Sequence, residues 1–257
     1  MFPKCLYFKV IIFIKLKNKD VMKTLLHILS VILIFLNLGF AQNRKPTDLV
    51  DRRAVKDFTA IHASLAADIF LTQADSFSFV AEGRSKLIKL LETEVVNGVL
   101  KIRLDRDCDI WDNMEKLTIH ISAPSFENIR LSGAGKIQTE NTLKGKNLSI
   151  LMSGANNLHF RDIEMEQLTL ELSGVGNIDI SGKATQASID LSGTGNIDVL
   201  DLVIQNAHCN ISGLGKLSCN VQNDLDAAVS GMGSIRYKGE PKFLRKSVSG
   251  IGKVKRN

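Results

Sequence analysis

The chain of 257 residues carries 33 basic and 27 acidic side chains, and its isoelectric point is near 9.1. Residues 1–41 contain six lysines and one aspartate, so 27 basic and 26 acidic residues remain after them, a net charge of about +1. Because most of the excess positive charge lies in residues 1–41, the net charge of the rest of the chain does not support binding to nucleic acid. The three cysteines after residue 41 are odd in number, which argues against a disulfide framework.

The first 41 residues have the order of a secretory leader. Met22 is followed by Lys23, the apolar run Leu25–Leu38 and the small-residue pattern Gly39-Phe40-Ala41. This arrangement predicts a signal peptide over residues 22–41 and makes residues 1–21 an upstream extension from a gene-model artefact. This run and a shorter one upstream, Val10–Ile14, are both shorter than the roughly 20 residues that a bilayer requires, so we expect no transmembrane anchor in the mature chain.

Residues 46–125 have strand patterns without the repeat that follows them, and they are predicted to form N-terminal strands or a cap. Asn97-Gly98 predicts a β-hairpin turn. Ser85 is predicted to be the N-cap of a short helix, Lys86–Leu91. One domain is expected over residues 42–257. The predicted strands are Phe58–Ile61, Ala67–Leu71, Phe77–Ala81, Thr93–Val96, Val99–Leu104 and Leu117–Ile121.

Residues 126–257 contain seven Ser-Gly pairs that are followed, after one intervening residue, by Gly or Asn, and these seven are spaced 18 to 21 residues apart. The residue before each serine and the residue five after it are apolar in every copy, and the intervening positions are mostly polar. This alternation predicts a strand, a tight turn and a second strand in each copy. A near-fixed period of this length indicates one unit stacked on copies of itself. The predicted fold is therefore all-β, a right-handed parallel β-helix or β-solenoid with coils of about 20 residues. The pairs begin at Ser132, Ser153, Ser173, Ser192, Ser212, Ser230 and Ser249.

The turn residues follow a Ser-Gly-x-Gly pattern in which one Asn replaces the second glycine. Because Asn tolerates a left-handed backbone better than other non-glycine residues, the pattern predicts a positive φ at this position. We interpret these turns as structural elements and not as ligand-binding sites. In the last copy, Lys246 stands at an inward position, which indicates a polar end coil that protects the open edge. The predicted structural turn residues are Gly133, Gly135, Gly154, Asn156, Gly174, Gly176, Gly193, Gly195, Gly213, Gly215, Gly231, Gly233, Gly250 and Gly252.

Three of these sequence features resemble one known family. They are the Ser-Gly-x-Gly-x-Ile repeats, the opening segment Asp68-Ile69-Phe70-Leu71-Thr72-Gln73 and the hairpin Asn97-Gly98-x-Leu100-x-Ile102. Together they resemble the bacterial putative auto-transporter adhesin, head GIN domain family over nearly all of the mature chain. The resemblance implies an exported, Ser/Gly-rich β-helical domain with an adhesin-like role, and it implies little about activity.

Four polar residues, one coil apart, form the candidate site. They are Asn177, Asp179, Asn196 and Asp198. They are predicted to offer a polar face to a glycan or a surface protein. Two alternatives are that Asp179 and Asp198 act as an acid/base pair in polysaccharide cleavage, or that the face is an ordinary polar surface with a short Asn ladder. No Lys or Arg aligns in these two coils to neutralise the carboxylate of a uronate, which argues against a polysaccharide lyase.

Metal and disulfide sites are only weakly indicated. Asp105, Asp107, Asp109 and Asp112 resemble the start of a calcium loop, but Ile110 and Lys116 stand where that loop requires Gly and Glu. The segment is either an irregular Ca²⁺ site or a solvated acidic loop. We expect no metal and no cofactor.

Cys209 and Cys219 fall at inward positions of one coil, either as small buried side chains or as a disulfide.

The sequence thus predicts a non-enzymatic, adhesin-like binding module that is exported to the periplasm, the outer-membrane surface or the medium. Its expected partners are glycans or surface proteins and not nucleic acid. One alternative is an extracytoplasmic polysaccharide-active enzyme with a β-helix fold. The other is a periplasmic structural or assembly protein without a soluble ligand.

Overall fold

The computed structural model describes residues 48–105 and 117–257, and within these ranges the regular structure is strand apart from one short helix. The predicted all-β fold is confirmed as a curled sheet whose stacked coils form a β-solenoid of about six turns. The predicted upstream extension (1–21) and the predicted signal peptide (22–41) lie outside the described residues. The elements are β1 (Asp48–Arg53), β2 (Ala60–Ser64), β3 (Ala66–Gln73), β4 (Ser78–Arg84), α1 (Ser85–Leu90), β5 (Leu91–Val96), β6 (Val99–Leu104), β7 (Thr118–Ala123), β8 (Asn128–Leu131), β9 (Ala134–Thr139), β10 (Lys144–Met152), β11 (Ala155–Leu172), β12 (Val175–Leu191), β13 (Thr194–Ile211), β14 (Leu214–Val229), β15 (Met232–Lys238), β16 (Phe243–Val248) and β17 (Lys253–Arg256).

Successive repeats pair in parallel, in register with one another. Asn177 of β12 lies opposite Asn157 of β11 and Asn196 of β13. Strands β11 to β14 each run from one Ser-Gly turn to the next over 16 to 18 residues, with β-bulges between them. Because side chains alternate in direction along each strand, this register stacks like positions into columns that point inward or outward.

The inward columns form the hydrophobic core. Each fully buried aliphatic side chain stabilises the fold by roughly 1.5–3 kcal/mol, and each coil depends on its neighbours to complete that burial. The column before the turn serine contains Leu131, Met152, Leu172, Leu191, Ile211 and Val229, and the column five residues after it contains Ile137, Leu158, Ile178, Ile197, Leu217 and Ile235; all twelve are buried.

The N-terminal strands do not stack in chain order. Strands β2 and β3 lie between β6 and β7 on one side and β8 and β9 on the other, all in parallel. The segment 64–67 therefore takes the place of a Ser-Gly-x-Gly turn, with Ser64 Oγ 2.7 Å from Ser132 Oγ. Sequence inspection missed this turn because Leu65 and Ala67 stand where the repeats have glycine. Strands β6 and β7, on the other side, are joined by residues 105–117 and not by a four-residue turn.

Close stacking explains the first glycine of each repeat. The carbonyl oxygen of Gly154 accepts a hydrogen bond of 3.0 Å from the N–H of Val175, one coil further on. That oxygen occupies the space that a Cβ on Gly174 would need. The same overlap with a carbonyl of the preceding coil occurs at the first glycine of all seven copies, so no side chain fits there.

The predicted positive φ at the second glycine is wrong for all copies but the first. Among the turn residues of the seven repeats, all of which are described, Gly135 alone has a φ in the left-handed region, +133°. Asn156 is buried, and its Nδ2 donates a hydrogen bond of 3.0 Å to the carbonyl of Gly133. Asn156 is therefore accommodated by a hydrogen bond within the stack and not by a left-handed backbone.

The predicted hairpin is confirmed, whereas the predicted helix cap is not. Strands β5 and β6 pair antiparallel around Asn97 and Gly98, whose φ values are +51° and +75°. Helix α1 begins at Ser85 itself. Arg84 is the N-cap and makes no side-chain capping bond. Its guanidinium has no oxygen that could accept a bond from the first N–H groups of the helix. In the described ranges, no helix is long and apolar enough to cross a bilayer.

The last coil is more apolar than predicted. Lys246 pairs with Ala227 in the inward column, as expected, and its Nζ lies 4.9 Å from the ring centroid of Tyr237. However, Phe243, Leu244 and Val248 of β16 are all exposed. The end coil is therefore amphipathic, since no further coil covers these side chains.

Cys209 and Cys219 are fully buried free thiols in the core. The hydrogen bond with Cys219 and burial of the thiol both raise the pKa of Cys209 well above its ordinary value. The open alternative of a disulfide is thus not the state in this structure, where both residues act as small core side chains.

Replacement of Gly193 by Ala is expected to destabilise the protein by about 2 kcal/mol or more, because the new Cβ would overlap the carbonyl of Gly174. The matched control is Gly145→Ala, whose Cβ would meet only the sulfur of Met165 at 3.5 Å. The control should change the free energy of unfolding by less than about 1 kcal/mol. Urea denaturation of the two variants measures this difference, and equal stabilities would contradict the steric explanation.

In the native protein, Cys209 is expected to resist alkylation by iodoacetamide at mildly alkaline pH, and in denaturant it should react. A raised pKa keeps the thiol protonated, and the thiolate is the reactive form. Mass spectrometry of the peptide that contains Cys209 measures the labelling. Rapid labelling of the native protein, or a peptide disulfide-linked to Cys219 before reduction, would be the opposite result.

Candidate binding site

Two outward columns lie next to each other on the strands that follow the turns. The residues four after the serine form the first column, and those six after it form the second. The register between β9, β11, β12 and β13 aligns these positions directly. The first column contains Lys136, Asn157, Asn177 and Asn196, and the second contains Gln138, His159, Asp179 and Asp198.

A groove of about 800 Å³ opens beside these columns and crosses three coils. It includes Lys136 of β9, Asn157 of β11 and Asn177 of β12, and residues 139–142 also line it. A β-bulge in β11 between Phe160 and Ile163 forms part of its wall. At this bulge Asp162 has a φ of +54°, a conformation that non-glycine residues rarely adopt. The groove therefore lies where the regular ladder is interrupted.

Three side chains in the groove form a hydrogen-bonded chain. Nε of Arg161 donates to Nε2 of His159 at 2.7 Å, and Nδ1 of His159 lies 3.1 Å from Oδ2 of Asp179. Because Nε2 accepts a hydrogen bond, the proton of the neutral imidazole is on Nδ1, which donates to the carboxylate. This chain orients Arg161, and a ligand acceptor can take other N–H groups of its guanidinium.

The first column contains a ladder of three asparagines. Nδ2 of Asn196 donates to Oδ1 of Asn177 at 3.2 Å, and Nδ2 of Asn177 donates to Oδ1 of Asn157 at 3.0 Å. The backbone N–H of Asn177 also donates to Asn157 Oδ1 at 3.1 Å. The amide ladder is exposed to solvent, so it both links the coils and presents planar polar groups at the surface.

The four predicted site residues are divided by the structure. Asn177 and Asp179 line the groove. Asn196 and Asp198 continue the same columns one coil further on, beyond the groove, and Oδ1 of Asp198 accepts a hydrogen bond from the N–H of Leu200. The alignment inferred from the repeat is thus observed, and whether any of the four binds a ligand stays a prediction.

Sequence inspection missed the cations of the groove. It found no aligned Lys or Arg in the coils of Asp179 and Asp198, whereas the structure supplies Lys136 and Arg161 from the two preceding coils. Lys136 could have been found from its position opposite Asn157. Arg161 could not, because the bulge after Phe160 moves it out of the repeat alignment.

An aromatic pair extends the second column. Phe70 of β3 lies opposite Gln138, and its ring stacks on His120 with centroids 4.8 Å apart. The second column therefore continues from these two rings through Gln138 to His159 and Asp179. Such a strip combines a flat apolar face with hydrogen-bonding groups.

The metal site considered from the sequence lies largely outside the described residues, since they exclude Asp107, Asp109 and Asp112. Within the ranges that the structure describes, no group of three or more His, Cys, Asp or Glu side chains is arranged to hold a metal ion.

The family model described as "Putative auto-transporter adhesin, head GIN domain" matches residues 57–241, and the chain belongs to this family. No curated protein matches the chain significantly.

Several solved structures are similar to this chain. A putative adhesin from Bacteroides fragilis is 28% identical with a TM-score of 0.81, and the match covers 83% of this chain and 98% of that one. A putative adhesin from Parabacteroides merdae is 20% identical, with a TM-score of 0.65 and coverage of 84% and 97%. A putative lipid binding protein from Parabacteroides distasonis is 23% identical, with a TM-score of 0.65 and coverage of 82% and 97%. The last two similarities concern the fold alone.

Proposed function

We propose that this protein is a non-enzymatic, adhesin-like binding module of the cell envelope or surface. In this proposal, the groove formed by Lys136, Asn157, Arg161, Asn177 and Asp179 binds a glycan or a surface protein, and a glycan is the better fit. The observation that supports it most is the preorganised Arg161–His159–Asp179 chain on a rigid stack of coils. The family description and the adhesin from Bacteroides fragilis support the same general role.

A glycan suits the chemistry of the groove. Sugar hydroxyls donate and accept hydrogen bonds, and the groove offers amides, carboxylates and a guanidinium that can do both. Arg161 and Lys136 would attract an acidic sugar, whereas Asp179 would accept bonds from neutral hydroxyls. The stacked rings of Phe70 and His120 would pack against the apolar face of a sugar further along the column.

The same hydrogen bonds favour binding over catalysis. A general base needs a free lone pair within reach of its substrate. Nε2 of His159 already accepts from Arg161, so this imidazole offers no free nitrogen lone pair as a base. Oδ2 of Asp179 pairs with His159, and the remaining lone pairs of this carboxylate stay open to a ligand. Asp198, the second carboxylate of the proposed cleavage pair, lies outside the groove lining. A polysaccharide-cleaving function therefore remains the second candidate, with Asp179 as its central residue.

Export is a part of this proposal. The signal-peptide pattern over residues 22–41 and the family's description as an adhesin support it. A periplasmic structural or assembly role would share the leader but would not need the groove. Two experiments, one on the groove and one on location, therefore separate these possibilities.

A glycan array probed with the purified protein tests the groove. Asn177→Ala and Arg161→Ala are each expected to weaken binding to a glycan found on the array by about tenfold, since each removes one or two hydrogen bonds to the ligand. The matched control is Gln186→Ala, an exposed polar residue of β12 that faces away from the groove. Unchanged affinity in both groove variants, for a demonstrated ligand, would show that the groove is not the site.

Asp179→Asn distinguishes binding from cleavage. The amide keeps the shape of the side chain but loses its charge. For a binding module, the wild-type protein releases no reducing ends from the bound polymer. Turnover by the wild type that is abolished in Asp179→Asn would favour the enzyme instead.

Protease treatment of intact cells tests location. If the protein is a surface module, blotting should show its digestion on intact cells while a cytoplasmic marker remains whole. Protection until the outer membrane is permeabilised would place it in the periplasm. That outcome would favour the assembly role over adhesion.

A further inference from the structure

The solenoid has a strand edge at each end. In the sheet formed by the strands that precede the turns, β5 is the first strand and pairs with β6, and β16 is the last and pairs with β14. Among the described residues, β6 is the only strand with a pairing register to β5, and β14 is the only one with a register to β16. Each therefore presents backbone N–H and C=O groups that can pair with another strand, and on β5 the carbonyl of Leu91 already accepts a hydrogen bond of 2.6 Å from Nη1 of Arg53.

The edge at β16 also leaves the end of the core uncovered. Leu244 and Val248 are 39% and 45% exposed, although they lie directly over the buried Leu225 and Val229. Phe243, on the outer face of β16, is 62% exposed. Apolar groups of this size along an unpaired strand gain stability when another strand covers them.

We propose that a second copy of this chain covers this end, with its β5 pairing antiparallel to β16 so that copies associate head to tail. The directions agree. All strands of this sheet from β6 to β16 are parallel, and β5 is antiparallel to β6. A second copy stacked in the same orientation therefore presents a β5 that runs antiparallel to β16. This inference is independent of the proposed function of the groove.

The two strands match residue by residue. Each has six residues, and one antiparallel register places all of them in pairs. On the core side, Leu91 faces Val248 and Val95 faces Leu244. On the outer side, Glu94 faces Arg245. The other three pairs in this register are Val96 with Phe243, Thr93 with Lys246 and Glu92 with Ser247.

Charge favours this contact over a tail-to-tail one. Arg245 lies 3.4 Å from Asp226 in its own chain, and Glu94 lies 3.5 Å from Arg103 in its own. Pairing of β16 with β5 therefore continues an alternation of acid, base, acid and base across the junction. Two end coils placed tail to tail would instead oppose like charges, because residues 241–257 contain six basic side chains and no acidic one.

The contact joins two different surfaces and so does not close on itself. Each added copy presents a new β16 at its free end. Association is therefore open-ended, and the average size should rise continuously with concentration.

Charge reversal tests the junction by sedimentation velocity of protein purified from cells that express the full chain. The wild type should show a mass that increases with concentration. Arg245→Glu and Glu94→Arg are each expected to raise the dissociation constant by about tenfold or more, because like charges then face each other. The double variant should recover most of the wild-type association, since the pair is restored with its signs exchanged.

Lys216→Glu, an exposed reversal on β14 away from both edges, is the control and should associate like the wild type. Unchanged melting temperatures would show that the variants fold. A wild type that stays monomeric at every concentration would overturn the proposal, as would equal effects of all three single reversals without recovery in the double variant. Binding of monomers to vesicles with anionic lipids, without self-association, would also overturn it and identify the end coil as a membrane contact.

Discussion

A backbone hydrogen bond links successive turns: the N–H of the residue after the turn glycine donates to the carbonyl of the glycine one coil before it. It occurs at Ala155, Val175, Thr194 and Leu214. It holds the coils at the strand spacing, roughly 4.8 Å, where a carbonyl oxygen lies directly against the next glycine. The backbone at the turns is therefore as closely packed as in the strands. Once the turns are superimposed, the strands on both sides have no freedom of register, and the inward and outward columns follow.

This constraint also shapes the candidate site. Asn157, Asn177 and Asn196 are far apart along the chain, but the register brings their amides to hydrogen-bonding distance. A perfectly regular ladder would give a flat face with little concavity. The groove arises at the bulge of β11, where Arg161 and Asp162 leave the ladder. The regular part of the repeat thus provides rigidity, and the irregular part provides shape and charge.

A solenoid differs from a closed barrel because its ends remain open. At one end, the antiparallel strands β1, β4 and β5 flank the first coil, whereas at the other end β16 and β17 terminate the stack without a cap in the described chain. The groove lies on the strands that follow the turns. The proposed junction lies on the other sheet, whose strands precede the turns, and it joins β16 of one copy to β5 of the next. A row of copies would therefore repeat the groove at regular intervals, an arrangement in which weak contacts to a repetitive ligand add in avidity.

The sequence alone determined the all-β solenoid, its period, its core columns and the alignment of Asn177 with Asn196, because in-register stacking turns a linear repeat directly into contacts. It could not determine features that depend on what lies in the neighbouring coil. Leu65 stands where the repeats have the first turn glycine, and Asn156 donates a hydrogen bond to the carbonyl of Gly133. Asp179 of the groove pairs with His159, and Arg161 reaches the other nitrogen of that imidazole only because a bulge shifts the register. Bulges and non-sequential stacking are set by packing between coils, and only the tertiary structure decides them.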